Sequence, residues 1–275
     1  MAGEIDLQAY LDRIGHRGPT DPTVATLQAL VLEHLSAIPF ESLNPLLGRP
    51  VRLDGASLQA KLVAGRRGGY CFEQNGLFAR VLEALGFQVT PMAARVRWML
   101  PDDAPQTALT HMLLKVDLAQ GPFLADVGFG GQSPSAPLRL ERGVEQPTGH
   151  GLYRLEGEGR DWELQMRLPG RWQAMYRFRD EAQGPLDYEV ANWFTSTHPA
   201  SRFTNNLVAS RIDGERRLNL FNSELTVHWP DGRTDQRILA GPGEAAAALA
   251  GEFGLAVEPA DMEGLWPRLP GPATG

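Results

Sequence analysis

The sequence predicts an α+β protein in three successive parts: a helical bundle over residues 1–87, a β-barrel over 88–185 and an α/β lid over 186–275. Two changes of hydrophobic period carry this prediction. Apolar residues recur every three to four positions up to about Gly86, alternate with polar ones from Phe87, and mix both patterns in the last third. A third observation is bulk: 275 residues, 43% of them hydrophobic, suffice for sizeable cores.

Four helices are expected in the first part. "DLQAYLDRIG" offers Asp6 as N-cap, an apolar face of Leu7, Tyr10, Leu11 and Ile14, and Gly15 as a stop. "DPTVATLQALVLEHL" repeats the logic, with Asp21 as the expected cap and Pro22 at the first helical position. "SLQAKLVAG" predicts a shorter helix from Ser57 to about Gly65, and "CFEQNGLFARVLEALG" a fourth that stops at Gly86. The barrel strands are then "FQVTPMAARVRWML", "ALTHMLLKVDL", "FLADVGFG", "GLYRLEGEG", "WELQMRL" and "WQAMYRF", with a hairpin turn in "RLPGRW". In the last part "PLDYEVANWFTSTHP" and "GEAAAALAGEFG" read as helices. "LVASRI", "RRLNLF", "ELTVHW" and "RTDQRIL" read as a meander, and the tail "LWPRLPGPATG" as loose at its end.

Composition narrows the function. A net charge of −7 argues against a nucleic-acid surface. No phosphate loop is present, and "VGFGGQS" lacks dinucleotide-binding spacing. No apolar run approaches the ~20 residues of a membrane span, and the acidic, amphipathic start does not read as a signal peptide. One cysteine excludes an internal disulfide or a multi-cysteine metal site, so no metal is expected and a reducing cytoplasm is the expected setting.

That cysteine, Cys71, follows Gly68-Gly69 in "RRGGYCFEQNGLF". A lone cysteine is ordinarily a small buried hydrophobe. Here, however, the glycines set the helix start at Tyr70 or Cys71, where free N–H groups and the helix dipole favour a thiolate. A nucleophile needs a base and the base an orienting group. Of six histidines, His16, His34, His150, His198 and His228 have no nearby acid or nucleophile pattern and read as ordinary satisfied imidazoles, His198 least firmly. His111 sits on one expected strand and Asp126, amid apolar residues, on the next; a spacing of 15 gives the parity that puts both on one face. Direct opposition needs a turn centred between Leu118 and Ala119, whereas the strongest turn signal, Gly121-Pro122, lies further along and would shift Asp126 off His111 unless a bulge or a wider loop intervenes.

These strings together resemble the arylamine N-acetyltransferases, whose fold is of the cysteine-triad, papain/transglutaminase-like kind. "RRGGYCFEQNGLF" resembles the family's nucleophile motif, "HLSAIPFESLNPLLG" its N-terminal motif, "LTHMLLKV" its histidine strand and "LADVGFGG" its aspartate strand and loop. "ESL" stands where the family more often has "ENL", and the likeness covers residues 1–210. The resemblance implies a triad of Cys71, His111 and Asp126, with acetyl-CoA as donor and an arylamine or arylhydrazine as acceptor. It further implies coenzyme A contacts along Gly128, Phe129, Gly130 and Gly131 and at Phe203 and His198, and acceptor contacts at Phe40 and Phe129. The competing readings are an amide synthase using a longer acyl chain, a papain- or transglutaminase-like hydrolase, and a binding module that has lost activity. Partners are small molecules only, with a homodimer left open.

Overall fold

The computed structural model describes residues 5–101 and 103–271. Helix α1, Leu7–Ile14, is capped as expected: Asp6 accepts from Ala9 N at 2.9 Å, and Gly15 closes it at φ +76°. Helix α2, Val24–Ala37, begins later than expected. Thr23, not Asp21, is its cap, accepting from Thr26 N at 3.2 Å, while Asp21 and Pro22 form the preceding turn. A two-residue strand β1, Phe40–Glu41, and a single turn of helix α3, Leu43–Leu46, follow; neither carries enough periodicity to be read from sequence. Helix α4, Gly55–Leu58, starts two residues before the expected Ser57. Asp54 caps it by accepting from Ser57 N at 2.9 Å, and it widens into a π-helical stretch over Gln59–Ala64. Helix α5, Cys71–Ala84, begins at the cysteine and ends before Gly86, φ +88°.

The eight-stranded sheet that follows contains β2 (Gln88–Val96), β3 (Leu109–Leu118), β4 (Gly121–Ala125), β5 (Leu138–Arg139), β6 (Gln146–Thr148), β7 (Gly151–Glu156), β8 (Asp161–Leu168) and β9 (Arg171–Arg179). Its order is β5-β4-β3-β2-β9-β8-β7-β6. The expected strands are all present, and the short β5 and β6 are additional. The two end strands are joined by one side chain. Arg139 N donates to Gln146 Oε1 at 2.7 Å, and Gln146 Nε2 donates to Arg139 O at 3.0 Å, so an amide stands where a ladder pair would and nearly closes the barrel.

Helices α6 (Pro185–Thr197) and α7 (Arg202–Asn205) lead to the meander β10 (Val208–Asp213), β11 (Arg216–Phe221), β12 (Glu224–His228) and β13 (Thr234–Ile238), then to α8 (Pro242–Phe253) and α9 (Pro259–Leu265). The second sheet runs β1-β10-β11-β12-β13. The early strand β1 pairs with β10 through Phe40 and Ser210, so distant parts of the chain share one sheet. One apolar cluster joins α1, α2 and α5 to β3 and β4, a second fills the barrel, and a third lies between the meander and α8 and α9. The far end of the tail lies outside the described residues. Among the described residues no helix is long and apolar enough to cross a membrane.

Candidate active site

Backbone proximity sets where α5 begins. Residues 67–69 run beside β1: Glu41 N donates to Gly69 O at 3.0 Å, and Phe40 bridges to Gly69. A Cβ on Gly68 would stand 2.1 Å from Pro39 O, and one on Gly69 2.7 Å from the Glu73 carboxylate, so both positions require glycine. Glu73 accepts from Tyr70 N at 3.2 Å and fixes the first turn. Beneath it lies a cluster of buried charges. Lys61 Nζ is 2.6 Å from Glu73 and 3.7 Å from Glu41, and Arg67 is 2.7 Å from Glu41.

Cys71 is 4% exposed, with Sγ 3.5 Å from Thr110 O. The next residue, His111, turns its Nε2 to Asp126 Oδ2 at 2.7 Å, both side chains almost fully buried. The strand register differs from both expectations. The turn is Ala119-Gln120, Leu118 pairs with Gly121, and Leu114 pairs with Ala125. Gly121, φ +107°, takes the strained position just after the turn instead of forming it. One step further along, Asp126 comes level with Leu113, two residues from His111 on the same face. The parity therefore holds, and the two side chains meet diagonally.

Burial would push the Asp126 carboxyl up, but the His111 charge and hydrogen bonds from His111, Asn75 and Gly128 N hold it below its ordinary 3.8. Burial likewise opposes a charged imidazole. The Asp126 charge and hydrogen bond outweigh it, aided by Cys71, and raise His111 above its ordinary 6.5. The pair is thus suited to hold an imidazolium that also serves Cys71.

Cys71 and His111 open into a cavity of about 420 Å³. Gly128, Phe129, Gly130, Gly131, Phe40 and Phe203 line it as well. Phe129 stands edge-on to the His111 ring at 5.3 Å. A Cβ on Gly128 would lie 2.8 Å from Cys71 Cα, so this loop crosses directly over the helix start. His198 is not among the lining residues. Its ring stacks at 4.5 Å on Phe194, which does line the cavity. The remaining histidines have ordinary partners: His34 bonds Tyr10 and Gln74, His16 bonds Glu33, His150 bonds Gly214 O and His228 bonds Thr234.

Sequence reasoning passed over Asn75. Fully buried one turn after Cys71, its Nδ2 donates to Met112 O at 2.7 Å and to Asp126 Oδ1 at 2.9 Å, and its Oδ1 accepts from Val127 N at 3.0 Å. One amide thus ties the helix of Cys71 to the segments of His111 and Asp126. The signal was available: Glu73, Gln74 and Asn75 are three consecutive polar residues in a helix with an otherwise apolar inner face.

A family model described as N-acetyltransferase matches residues 23–262. An arylamine N-acetyltransferase of Mycobacterium tuberculosis is 48% identical over 256 residues, covering 92% of this chain and 90% of the relative. The solved arylamine N-acetyltransferase from M. tuberculosis superposes with a TM-score of 0.91 at 46% identity, over 95% of this chain and 99% of its own. That of Mycobacterium marinum in complex with CoA superposes at 0.92 and 42% identity, over 96% of this chain and all of its own. With the family model spanning most of the sequence and close relatives matching nearly end to end, this chain belongs to the arylamine N-acetyltransferase family of acyltransferases.

Proposed function

We propose that the chain moves an acetyl group from acetyl-CoA to an arylamine or arylhydrazine in two half-reactions through acetyl-Cys71. The observation that carries this reading is the buried His111–Asp126 pair opening, beside Cys71, into one cavity. The CoA complex of the M. marinum relative supports the donor.

The Cys71 thiolate, paired with the His111 imidazolium, attacks the thioester carbonyl. Negative charge develops on the carbonyl oxygen, where first-turn N–H groups of α5, which precede any intrahelical acceptor, are suited to receive it. The carbon–sulfur bond to coenzyme A breaks, and His111 gives its proton to the departing thiolate. Acetyl-Cys71 remains a thioester, so amide formation from it is downhill. The neutral arylamine nitrogen then attacks, His111 takes its proton, and Cys71 leaves as thiolate. Asp126 holds the ring orientation through both halves.

Intact-protein mass after brief mixing with acetyl-CoA alone tests this. Wild type should gain one acetyl group and lose it on addition of an arylamine, while Cys71→Ala should gain none. Rapid labelling of Cys71 by iodoacetamide without any acetylation would reject acetyl-CoA as donor.

A further inference from the structure

Two side chains of the cavity take no part in that chemistry. Besides Cys71 and His111, Arg202 is the one ionisable side chain lining the cavity among the described residues, and no aspartate or glutamate joins it there. Arg202 opens the short helix α7 at the exposed rim, whereas Cys71 is buried at the floor. Its guanidinium lies 4.7 Å from the centre of the Phe221 ring, which orients it, and it has no carboxylate in ion-pair range among the described residues. Some arginines elsewhere are engaged by acids, among them Arg49 with Asp261, Arg67 with Glu41, Arg177 with Glu163 and Arg237 with Glu252. The second side chain is Thr195 on α6. It lines the same cavity, is 4% exposed, and its Oγ1 has no hydrogen-bond partner. A buried hydroxyl left unpaired is costly unless a ligand supplies the acceptor.

The wall also carries six aromatic rings, those of Phe40, Trp98, Phe129, Phe194, Phe203 and Phe221. A guanidinium held against an aromatic ring presents a planar fork suited to two oxygens of one anion. The chain as a whole carries −7, so its general field repels anions and a local cation must offset that.

We propose that Arg202, at the rim, and the buried Thr195 hydroxyl form an oxyanion subsite in this cavity, which takes a phosphate or carboxylate on the end of a substrate remote from its reacting atom. This rests on the proposed transfer reaction, which supplies two sources of such a group: the diphosphate of the acyl donor and a carboxylate on the aryl acceptor. Both chemistries are the same to Arg202.

Calorimetric binding separates them and does not need acetyl-Cys71 to form. Coenzyme A is compared with pantetheine, which keeps the thiol arm and lacks the phosphates; 4-aminobenzoate is compared with its neutral amide. Arg202→Gln should weaken the charged member of at least one pair about tenfold and leave its neutral member unchanged. Arg202→Lys should recover part of that loss, and Thr195→Val should cost about threefold on the same member. An effect confined to coenzyme A assigns the subsite to the donor, and one confined to 4-aminobenzoate assigns it to the acceptor. Equal weakening of charged and neutral members, no effect on either pair, or no binding of either anion by wild type would overturn the subsite. Acetylation of Cys71 is scored separately, so a protein that binds coenzyme A through Arg202 yet never becomes acetylated refutes the transfer mechanism and leaves the subsite standing.

Discussion

Asn75 is the residue on which the mutual geometry of Cys71, His111 and Asp126 turns. Its two donor bonds and one acceptor bond reach Met112 O on the strand of His111, the Asp126 carboxylate and Val127 N, and it lies one helix turn after Cys71. Asn75→Asp keeps the shape, removes the donor toward Asp126 Oδ1 and sets a second carboxylate beside the first. Two buried carboxylates in contact resist double ionisation, so the Asp126 site binds protons more readily. The expected result is a fall in kcat/KM on the order of 100-fold, with the acid limb of the pH–rate profile moved to higher pH. Asn75→Leu should lose similar activity without moving that limb, because it adds no charge. If Asn75→Asp lowered the melting temperature while each folded molecule kept its wild-type rate and pH profile, Asn75 would be structural only. The convergence of Cys71, His111 and Asp126 was legible in the sequence because the chain has one cysteine and six histidines, and Asp126 sits amid apolar residues. Asn75 was not: asparagine in a helix is common, and its value lies in three partners remote in sequence.

The start of α5 is the element on which Cys71 depends, and it sits on buried charge. Glu73 both caps Tyr70 N and meets Lys61. Burial raises its carboxyl above the ordinary 4.5 even with Lys61 opposing. Glu41 differs: burial is outweighed by Lys61 and Arg67 together, and its carboxyl is held below 4.5. Lys61→Met removes the cation from Glu73 while keeping the aliphatic stem. Glu73 then rises further in the folded state, so the folded variant binds a proton that the unfolded chain releases near 4.5. Stability of the variant relative to wild type must therefore fall as pH rises through and beyond that value. Urea unfolding should show a small deficit near pH 4.5 and about 3 kcal/mol at pH 8. A deficit independent of pH would mean that Glu73 does not titrate with the cluster. Element by element, α1, α5 and the β8–β9 hairpin matched the sequence because their signals are local: Asp6 with Gly15, Gly-Gly before Cys71, Pro169-Gly170 between β8 and β9. At α2 and α4 the error lay in choosing among neighbouring caps, where Thr23 competes with Asp21 and Asp54 with Ser57, and only the backbone path decides.

At the scale of the molecule, the late meander holds the loop Gly128–Gly131 through Arg217, a link with no sequence signal because three of its four acceptors are backbone carbonyls. Arg217 on β11 is 5% exposed. It donates to Gly131 O at 3.0 Å, Ser133 O at 2.8 Å, His150 O at 3.1 Å and Tyr153 Oη at 2.9 Å. These acceptors span the cavity loop, the strand β7 and the turn before it, so one guanidinium joins the second sheet to the barrel and to Gly128–Gly131. Beside it on β11, Asn219 packs so closely that a Cβ on Gly131 would lie 2.1 Å from its Oδ1, which leaves that loop no room to shift inward. The same logic brings β1 into the meander and sets Phe40 against Phe203 at 5.8 Å. Replacing Arg217 by Met keeps most of the volume but leaves three carbonyls and a hydroxyl without their donor. The expected cost is about 3 kcal/mol in denaturant unfolding. Because the loop crosses over the start of α5, the effect should also reach Cys71: alkylation by iodoacetamide per folded molecule should change several-fold, whereas a purely global loss of stability leaves that rate untouched. Arg217→Lys, retaining one or two of the four bonds, should fall between. If Arg217→Met lost stability while Cys71 reacted at the wild-type rate, the meander would be a scaffold alone and the loop's geometry would be set within the barrel.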